Sequence, residues 1–131
     1  MPGEAGQGQW QSTGSLMLRG EIQLVDLEPV RGSEANSRRP AVIVSSDRAN
    51  VTAARLGRGV VDVVPVTSNT DRIFPFQALL PAAATGLRQD SKAQAEQVRS
   101  IAVERLGAVI GRAPADVVAH LDDTLRLHLQ L

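Results

Sequence analysis

Residues 40–44 (PAVIV) and residues 59–67 (GVVDVVPVT) decide the fold, because both are β-branched runs with almost no polar alternation. Such runs are typical of central strands that are buried on both faces of a sheet. Pro65 interrupts the second run, which predicts a bulge or an unpaired edge position there. The sequence therefore predicts a β-rich core built around two buried strands.

Further strands are expected on either side of these two runs. The segments with strand character are residues 19–27, 76–80, 92–101 and 108–110. Residues 47–56 form either a short helical turn or an irregular crossover. Together with the two buried runs, these segments predict about six or seven strands.

The C-terminal segment has helical periodicity instead. Pro114 suits the first position of a helix, and Asp116 lies beside the positive end of its dipole. The apolar residues at helical spacing are Val117, Val118, Leu121, Leu125 and Leu129. The expected fold is mainly β (α+β), a β-barrel with one C-terminal helix packed on it.

The chain has 131 residues, which fits one domain with one core. Residues 1–16 are rich in Gly, Gln and Ser, so we interpret them as a disordered or vector-derived extension and residues 17–131 as the single domain. There are no cysteines, which excludes disulfides, zinc–thiolate sites and cysteine nucleophiles and fits a cytoplasmic protein. No apolar run approaches the roughly 20 residues of a membrane-spanning helix, so no membrane partner is expected.

The charge composition points away from one class of nucleic-acid protein. The formal net charge is zero, which argues against a generic electrostatic DNA coater. Lys92 is the single lysine among the 14 basic residues. Arginine suits bidentate phosphate recognition, but a GC-rich genome gives the same bias, so composition leaves the question open.

Two polar segments concentrate groups that can do chemistry. Residues 30–40 (VRGSEANSRRP) combine one acid, three arginines and hydroxyls, and Pro40 biases Arg39 toward extended geometry. Residues 67–70 (TSNT) follow the second buried run. If the two buried strands are neighbours, Thr67 meets Arg39 at one end of the sheet. Each segment alone is also compatible with a solvated turn.

The two histidines are the remaining candidates for acid–base chemistry. His120 and His128 lie eight residues apart on the predicted C-terminal helix, far from both polar loops. Surface or packing roles suit that location better, so we exclude both from the site.

An ordered series of short segments resembles the MazF/PemK family of toxin–antitoxin endoribonucleases, mycobacterial and related actinobacterial members in particular. The matching pieces are Arg19-Gly20-Glu21-Ile22, Asp26-Leu27-Glu28-Pro29, Gly32-Ser33-Glu34, Arg39-Pro40-Ala41-Val42-Ile43-Val44-Ser45, Val64-Pro65-Val66-Thr67-Ser68, Phe74-Pro75-Phe76, Gly86-Leu87, Ala95-Glu96-Gln97-Val98-Arg99-Ser100-Ile101 and Ile110-Gly111. One departure is that family members commonly carry an aromatic residue around Gln23 and Leu24.

The resemblance implies an SH3-like β-barrel that forms a homodimer and binds single-stranded RNA across the interface. It implies cleavage at short sequence motifs, leaving 2′,3′-cyclic phosphate and 5′-hydroxyl ends, and neutralisation by a MazE-like antitoxin peptide. The family's catalytic acid, arginine and threonine correspond to Glu34, Arg39 and Thr67. We expect substrate binding by Ser33, Ser68, Asn69, Gln97 and Arg99, with Gln97 and Arg99 matching a strand that lines the RNA channel.

No cofactor or metal is expected, because the 2′-hydroxyl of RNA can serve as the nucleophile. We expect Glu34 to act as the base, since a carboxylate beside arginines stays ionised. Arg39 would stabilise the phosphorane and Thr67 would hydrogen-bond a phosphate oxygen. Two other classes remain open: a non-enzymatic gyrase poison on the same fold, resembling CcdB, and an inactive SH3-like binding module.

Overall fold

The computed structural model describes residues 17–27 and 38–131. The expected extension over residues 1–16, together with Ser33 and Glu34, lies outside the described residues. The elements are β1 (Glu21–Asp26), β2 (Arg38–Ile43), α1 (Asp47–Leu56), β3 (Val60–Thr67), β4 (Gln77–Leu80), α2 (Ala82–Thr85), β5 (Ser91–Gln94), β6 (Arg99–Ala102), β7 (Leu106–Arg112) and α3 (Ala115–Leu129). Single turns of 3-10 helix, Ala95–Gln97 and Val103–Arg105, lie on either side of β6.

In the described part of the chain, seven strands form one antiparallel sheet, in the order β4-β5-β3-β2-β1-β7, with β6 also paired to β3. The predicted mainly β fold, the strand number and the C-terminal helix are therefore confirmed. The two buried runs are the central neighbours β2 and β3, as expected. Among the described residues, no pairing joins β7 to β4, so "barrel" is a loose description of a sheet that stays open.

β3 is the central strand, and it changes partner along its length. Its first half pairs with β6, from Val60 opposite Ala102 to Val63 opposite Arg99. Its last two residues pair with β5, where Thr67 is opposite Lys92. Pro65 lies between these two ladders, paired on its other side with Ala41 of β2. The proline is thus accommodated inside a central strand, at the position where the neighbouring strand changes, because it cannot donate to a ladder.

The expected strand over residues 92–101 is wrong in one respect. The structure divides it into β5 and β6, separated by the 3-10 turn Ala95–Gln97. The sequence alternates through Ala93, Ala95, Gln97, Arg99 and Ile101, but Gln97 and Arg99 are exposed in the structure, so the alternation did not reveal the break. Its consequence is that β5 pairs with β4 and the end of β3, whereas β6 pairs with the start of β3.

Two hydrophobic clusters lie on the two faces of the sheet. One contains Val42, Val64 and Leu80 from the strands and Val117 and Leu121 from α3. The other contains Ala41, Ile43 and Val63 with Ala53 of α1. Neighbouring residues of β2 belong to different clusters, as expected for a strand whose side chains alternate between faces. The continuous apolar runs are explained by this burial on both sides.

Residues 47–56 form a regular helix, α1, rather than an irregular crossover. The Ser46 hydroxyl accepts a hydrogen bond from the Ala49 N–H at 3.2 Å, which caps the amino end. Gly57 ends the helix in the left-handed conformation, at φ 66°. Both capping residues flank the helix directly: α1 begins after Ser46 and ends before Gly57.

The apolar stripe of α3 is buried over its first part only. Leu121 is 1% exposed, whereas Leu129, two turns later, is 49% exposed. His120 and His128 are both exposed on this helix, consistent with their exclusion from the site. Within the described residues, no helix is long and apolar enough to cross a membrane.

Candidate active site

The pairing of β2 with β3 brings the two predicted polar segments together. Their register sets Ala41 opposite Pro65 and Val42 opposite Val64. Continued by two residues, it places Arg39 across from Thr67. Arg39, Thr67 and Ser68 line one cavity.

This cavity has a volume of about 390 Å³ and opens at the end of the sheet where β3 stops. Its walls combine residues of β2, the end of β3, the segment before β5, and β7. The lining residues are Arg38, Arg39, Pro40, Val66, Thr67, Ser68, Leu87, Arg88, Gln89, Ser91 and Ile110.

The polar lining is basic and hydroxylic. Three arginines, Arg38, Arg39 and Arg88, contribute to the walls, together with the hydroxyl-bearing residues Thr67, Ser68 and Ser91. No acidic residue belongs to this lining among the described parts of the chain. Guanidinium groups bind phosphate by paired, charge-assisted hydrogen bonds. The cavity is therefore suited to a phosphodiester anion.

Arg88 and Gln89 reach the cavity because of close packing around one glycine. A Cβ at Gly111 of β7 would lie 2.8 Å from the Thr85 carbonyl oxygen and 3.2 Å from the Leu87 side chain. Only a glycine allows the segment after α2 to lie this close to β7. The segment thereby delivers Leu87 and Arg88 to the wall of the cavity.

The same segment is held by hydrogen bonds at both ends. Leu87 N–H donates to the Thr85 hydroxyl at 3.2 Å, and that hydroxyl donates to the Pro81 carbonyl at 2.8 Å. The Asp90 carboxylate accepts from the Ala82 N–H at 2.8 Å. These bonds hold residues 85–90 as a fixed loop, which favours a preorganised position for Arg88.

The Thr67 side chain has a defined local partner. Its hydroxyl accepts a hydrogen bond from the Asn69 N–H at 3.2 Å, and the Asn69 side chain accepts from the Asp71 N–H at 3.1 Å. Accepting from Asn69 leaves the Thr67 hydroxyl hydrogen free to donate elsewhere. The structure therefore gives Asn69 a turn-forming contact, and Asn69 is absent from the cavity lining.

Two other predicted binding residues lie elsewhere. Gln97 is exposed in the 3-10 turn, and Arg99 is exposed at the start of β6. Arg99 is opposite Val63, four residues from Thr67, which corresponds to about 13 Å along a strand. Neither residue lines the cavity, and their roles toward substrate stay predictions.

The site contains residues that sequence reasoning did not select. Arg88, Gln89 and Ser91 follow Gly86 and Leu87, which belonged to the resemblance, but they lie about fifty positions from Arg39 in the chain. The sequence marks this segment only as a turn, with Gly86-Leu87 followed by Arg-Gln-Asp and then a strand, and it does not show which strands the turn approaches.

The departure noted at Gln23 has a packing explanation. Gln23 is 2% exposed and its side-chain amide donates to the Glu21 carboxylate at 3.2 Å. Glu21 in turn lies 3.7 Å from the Arg112 guanidinium. Gln23 is thus part of a buried polar group and is absent from the cavity lining.

Within residues 17–27 and 38–131, no cluster of three His, Cys, Asp or Glu side chains of the kind that could hold a metal ion is present. The groups gathered at the cavity are instead guanidinium and hydroxyl donors.

Residues 18–129 match the family described as the PemK-like, MazF-like toxin of type II toxin–antitoxin systems. Endoribonuclease MazF9 of Mycobacterium tuberculosis is 65% identical over 116 residues, covering 88% of this chain and 98% of that protein.

Solved structures show the same fold. The Mycobacterium tuberculosis toxin MazF-mt6 superposes with a TM-score of 0.67 at 22% identity, covering 85% of this chain and 97% of that one. The MazE-MazF (Form-II) structure from Deinococcus radiodurans gives a TM-score of 0.65 at 26% identity, covering 87% of this chain and 95% of that one.

The fold and the sequence relatives are those of a toxin endoribonuclease. The chain belongs to the PemK-like, MazF-like family of type II toxin–antitoxin toxins. Of the three classes that the sequence left open, the comparisons support the ribonuclease.

Proposed function

We propose that this toxin cleaves single-stranded RNA at short sequence motifs without a metal ion, using Arg39 and Thr67 with Glu34. The observation that carries the proposal is the convergence of Arg39, Thr67 and a second guanidinium, that of Arg88, on one cavity free of described acidic residues. An arrangement of this kind favours a phosphodiester over a peptide or a neutral ligand.

The reaction needs no external nucleophile. The 2′-hydroxyl oxygen attacks the adjacent phosphorus, the bond from phosphorus to the 5′ oxygen breaks, and the products are a 2′,3′-cyclic phosphate and a 5′-hydroxyl. The proton from the 2′-hydroxyl goes to the Glu34 carboxylate, and the departing 5′ oxygen takes up a proton from solvent water. Charge accumulates on the nonbridging oxygens, where donors on a fixed frame are most effective.

Arg39 and Thr67 are suited to stabilise the charge on those nonbridging oxygens. The Arg39 guanidinium supplies charge-assisted hydrogen bonds, and the Thr67 hydroxyl hydrogen is available because its oxygen accepts from Asn69. Both residues belong to paired strands, which restricts their motion relative to each other. Arg88, which lines the same cavity, would support the same charge.

Glu34 is the proposed base. It precedes Arg39 by five residues, and an extended chain of that length spans at most about 18 Å. The short separation along the chain is therefore compatible with Glu34 acting at the cavity. Ser33, its neighbour, would contact the substrate from the same segment.

The proposal extends to partners and location. Family membership implies an antitoxin partner, and the Deinococcus radiodurans neighbour was solved as a MazE-MazF assembly. We propose that this chain acts as a homodimer in the cytoplasm, with RNA lying across the dimer interface. Gln97 and Arg99, exposed outside the cavity, would contact RNA beyond the scissile phosphate.

The test is cleavage of a long RNA in EDTA by wild type, Arg39→Ala and Glu34→Gln, with mass analysis of the product ends. We expect cyclic phosphate ends from wild type and losses of about 10²–10³-fold in the Arg39 variant. Arg48→Ala, an exposed arginine on α1, is the matched control. A requirement for divalent ions, 3′-hydroxyl ends, or full activity without Arg39 would refute the mechanism.

A further inference from the structure

We propose that Phe74, stacked on Phe76, is a platform on which one unpaired base of the RNA stacks beside the cleavage site. The inference rests on the proposed function and names a specificity-determining residue for it. Phe74 lies in the connection between β3 and β4, whose first residue, Ser68, lines the cavity.

The two rings form an ordered pair at the surface. Their centroids are 5.5 Å apart and their planes differ by 3°. Phe74 is nevertheless 39% exposed, so part of the pair remains open to solvent. Unstacked RNA bases are bound by aromatic rings and by arginine guanidinium planes. An exposed aromatic residue held by stacking on a second ring has the geometry for this use.

Two cations accompany the exposed ring. The Arg72 guanidinium carbon is 5.6 Å from the Phe74 centroid, and the Lys92 ammonium nitrogen is 5.9 Å from it. Arg72 is itself exposed. Because it lies over the ring, Arg72 must first move off it to admit a base, and it can then close over that base or pair with a neighbouring phosphate. The combination of a ring with flanking positive charge favours a nucleotide over an apolar peptide side chain.

Buried side chains fix the backbone on which this pair stands. Lys92 is 7% exposed and donates to the Arg72 carbonyl at 2.6 Å. Phe74 N–H donates to the Gln77 side-chain oxygen at 3.1 Å. The Gln77 amide in turn donates to the Glu96 carboxylate at 2.9 Å. Such support lowers the entropy lost when a ligand orders the loop.

Lys92 also connects the platform to the site. It is the direct cross-strand partner of Thr67, which lines the cavity. The side chain that holds Arg72 thus begins beside the proposed phosphate-binding threonine. A base next to the bound phosphate is the group best placed to meet Phe74.

The experiment maps cleavage sites on a long RNA and measures steady-state kinetics for wild type, Phe74→Ala, Phe74→Leu and Phe74→Tyr. For the Ala and Leu variants we expect KM to rise by about 5- to 150-fold, the range given by stacking of one base. We expect little change in kcat and a relaxed base preference at one position beside the cut. The Tyr variant keeps the ring and should resemble wild type.

Ile73→Ala is the matched control, because Ile73 is an adjacent exposed apolar residue; its KM should stay within about twofold of wild type. Thermal melting establishes that each variant is folded, and the Leu and Tyr variants keep the test decisive if the Ala variant unfolds. Unchanged KM and sequence preference in the Leu variant would overturn the platform. A Phe74 variant that loses antitoxin binding but keeps wild-type RNA cleavage would overturn it as well. Cleavage by wild type that depends on Arg39 establishes the proposed function separately from this result.

Discussion

Arg39 and Thr67 line one cavity at the end of two paired strands, although 27 residues separate them in the chain. The register that pairs Ala41 with Pro65 sets them opposite each other when it is continued by two residues. Both side chains can therefore contact the same phosphate from two rigid strands.

Removing the Arg39 and Thr67 side chains together should lower kcat/KM by a smaller factor than the product of the two single-variant factors. We expect Arg39→Ala to lower kcat/KM by about 10²–10³-fold and Thr67→Val to lower it as well. The transition-state stabilisation lost in the double variant should be less than the sum of the two single losses, because groups that stabilise one transition state act as a unit. Kinetics of the four proteins in a double-mutant cycle measure this. Strict additivity would show that the two residues act independently.

Arg88 should matter for RNA although it is far from Arg39 in the chain. Replacement by Ala removes one positive charge from the cavity wall, so we expect weaker RNA binding and a log Kd less steeply dependent on log salt, by about 0.7. Titration of RNA at several salt concentrations measures that slope. Arg48→Ala, on α1, should leave the slope unchanged. Equal slopes for Arg88→Ala and wild type would contradict contact between Arg88 and phosphate.

Gly111→Ala should affect stability and activity together. The added Cβ would lie 2.8 Å from the Thr85 carbonyl oxygen, so backbone must move and overpacking costs about 1–3 kcal/mol of unfolding free energy. The displaced segment carries Leu87 and Arg88, so kcat/KM should fall in the folded variant. Denaturant unfolding and kinetics together check this.

Ile43→Val is the control for Gly111→Ala, because it removes one buried methyl group on the α1 side of the sheet at a cost of about 0.5–1.5 kcal/mol. Its activity should persist. If Gly111→Ala lost stability with unchanged kcat/KM, the link from this glycine to the site would be wrong.

Two leucines of α3 should respond very differently to truncation. Leu121 is 1% exposed within the core, so Leu121→Ala should cost about 2–5 kcal/mol of unfolding free energy. Leu129 is 49% exposed, and Leu129→Ala should change stability by about 0.5 kcal/mol or less. Chemical denaturation of the two variants compares them on one helix. A loss at Leu129 as large as the loss at Leu121 would contradict the exposure of Leu129 near the end of the helix.

Much of the fold could be predicted because its signals are local. The apolar runs at residues 40–44 and 59–67 indicate buried strands, and the spacing from Val117 to Leu125 indicates a helix. The sequence does not predict the break between β5 and β6, because the residue types alternate through a turn of only three residues, although burial does not. Leu129 was expected in the stripe and is exposed, because periodicity does not say where the packed surface ends.

The sequence by itself determined the class of protein and the two central strands, because both can be read from residue types and their order. From the sequence alone, Arg39 meets Thr67 only if these two strands are neighbours, and the structure supplies that pairing and its register. Only the tertiary structure decided that Arg88 and Gln89 share their cavity while Asn69, Gln97 and Arg99 do not line it. The physical reason is that strand register and the close approach of residues 85–87 to Gly111 are long-range packing relationships. No local pattern encodes them.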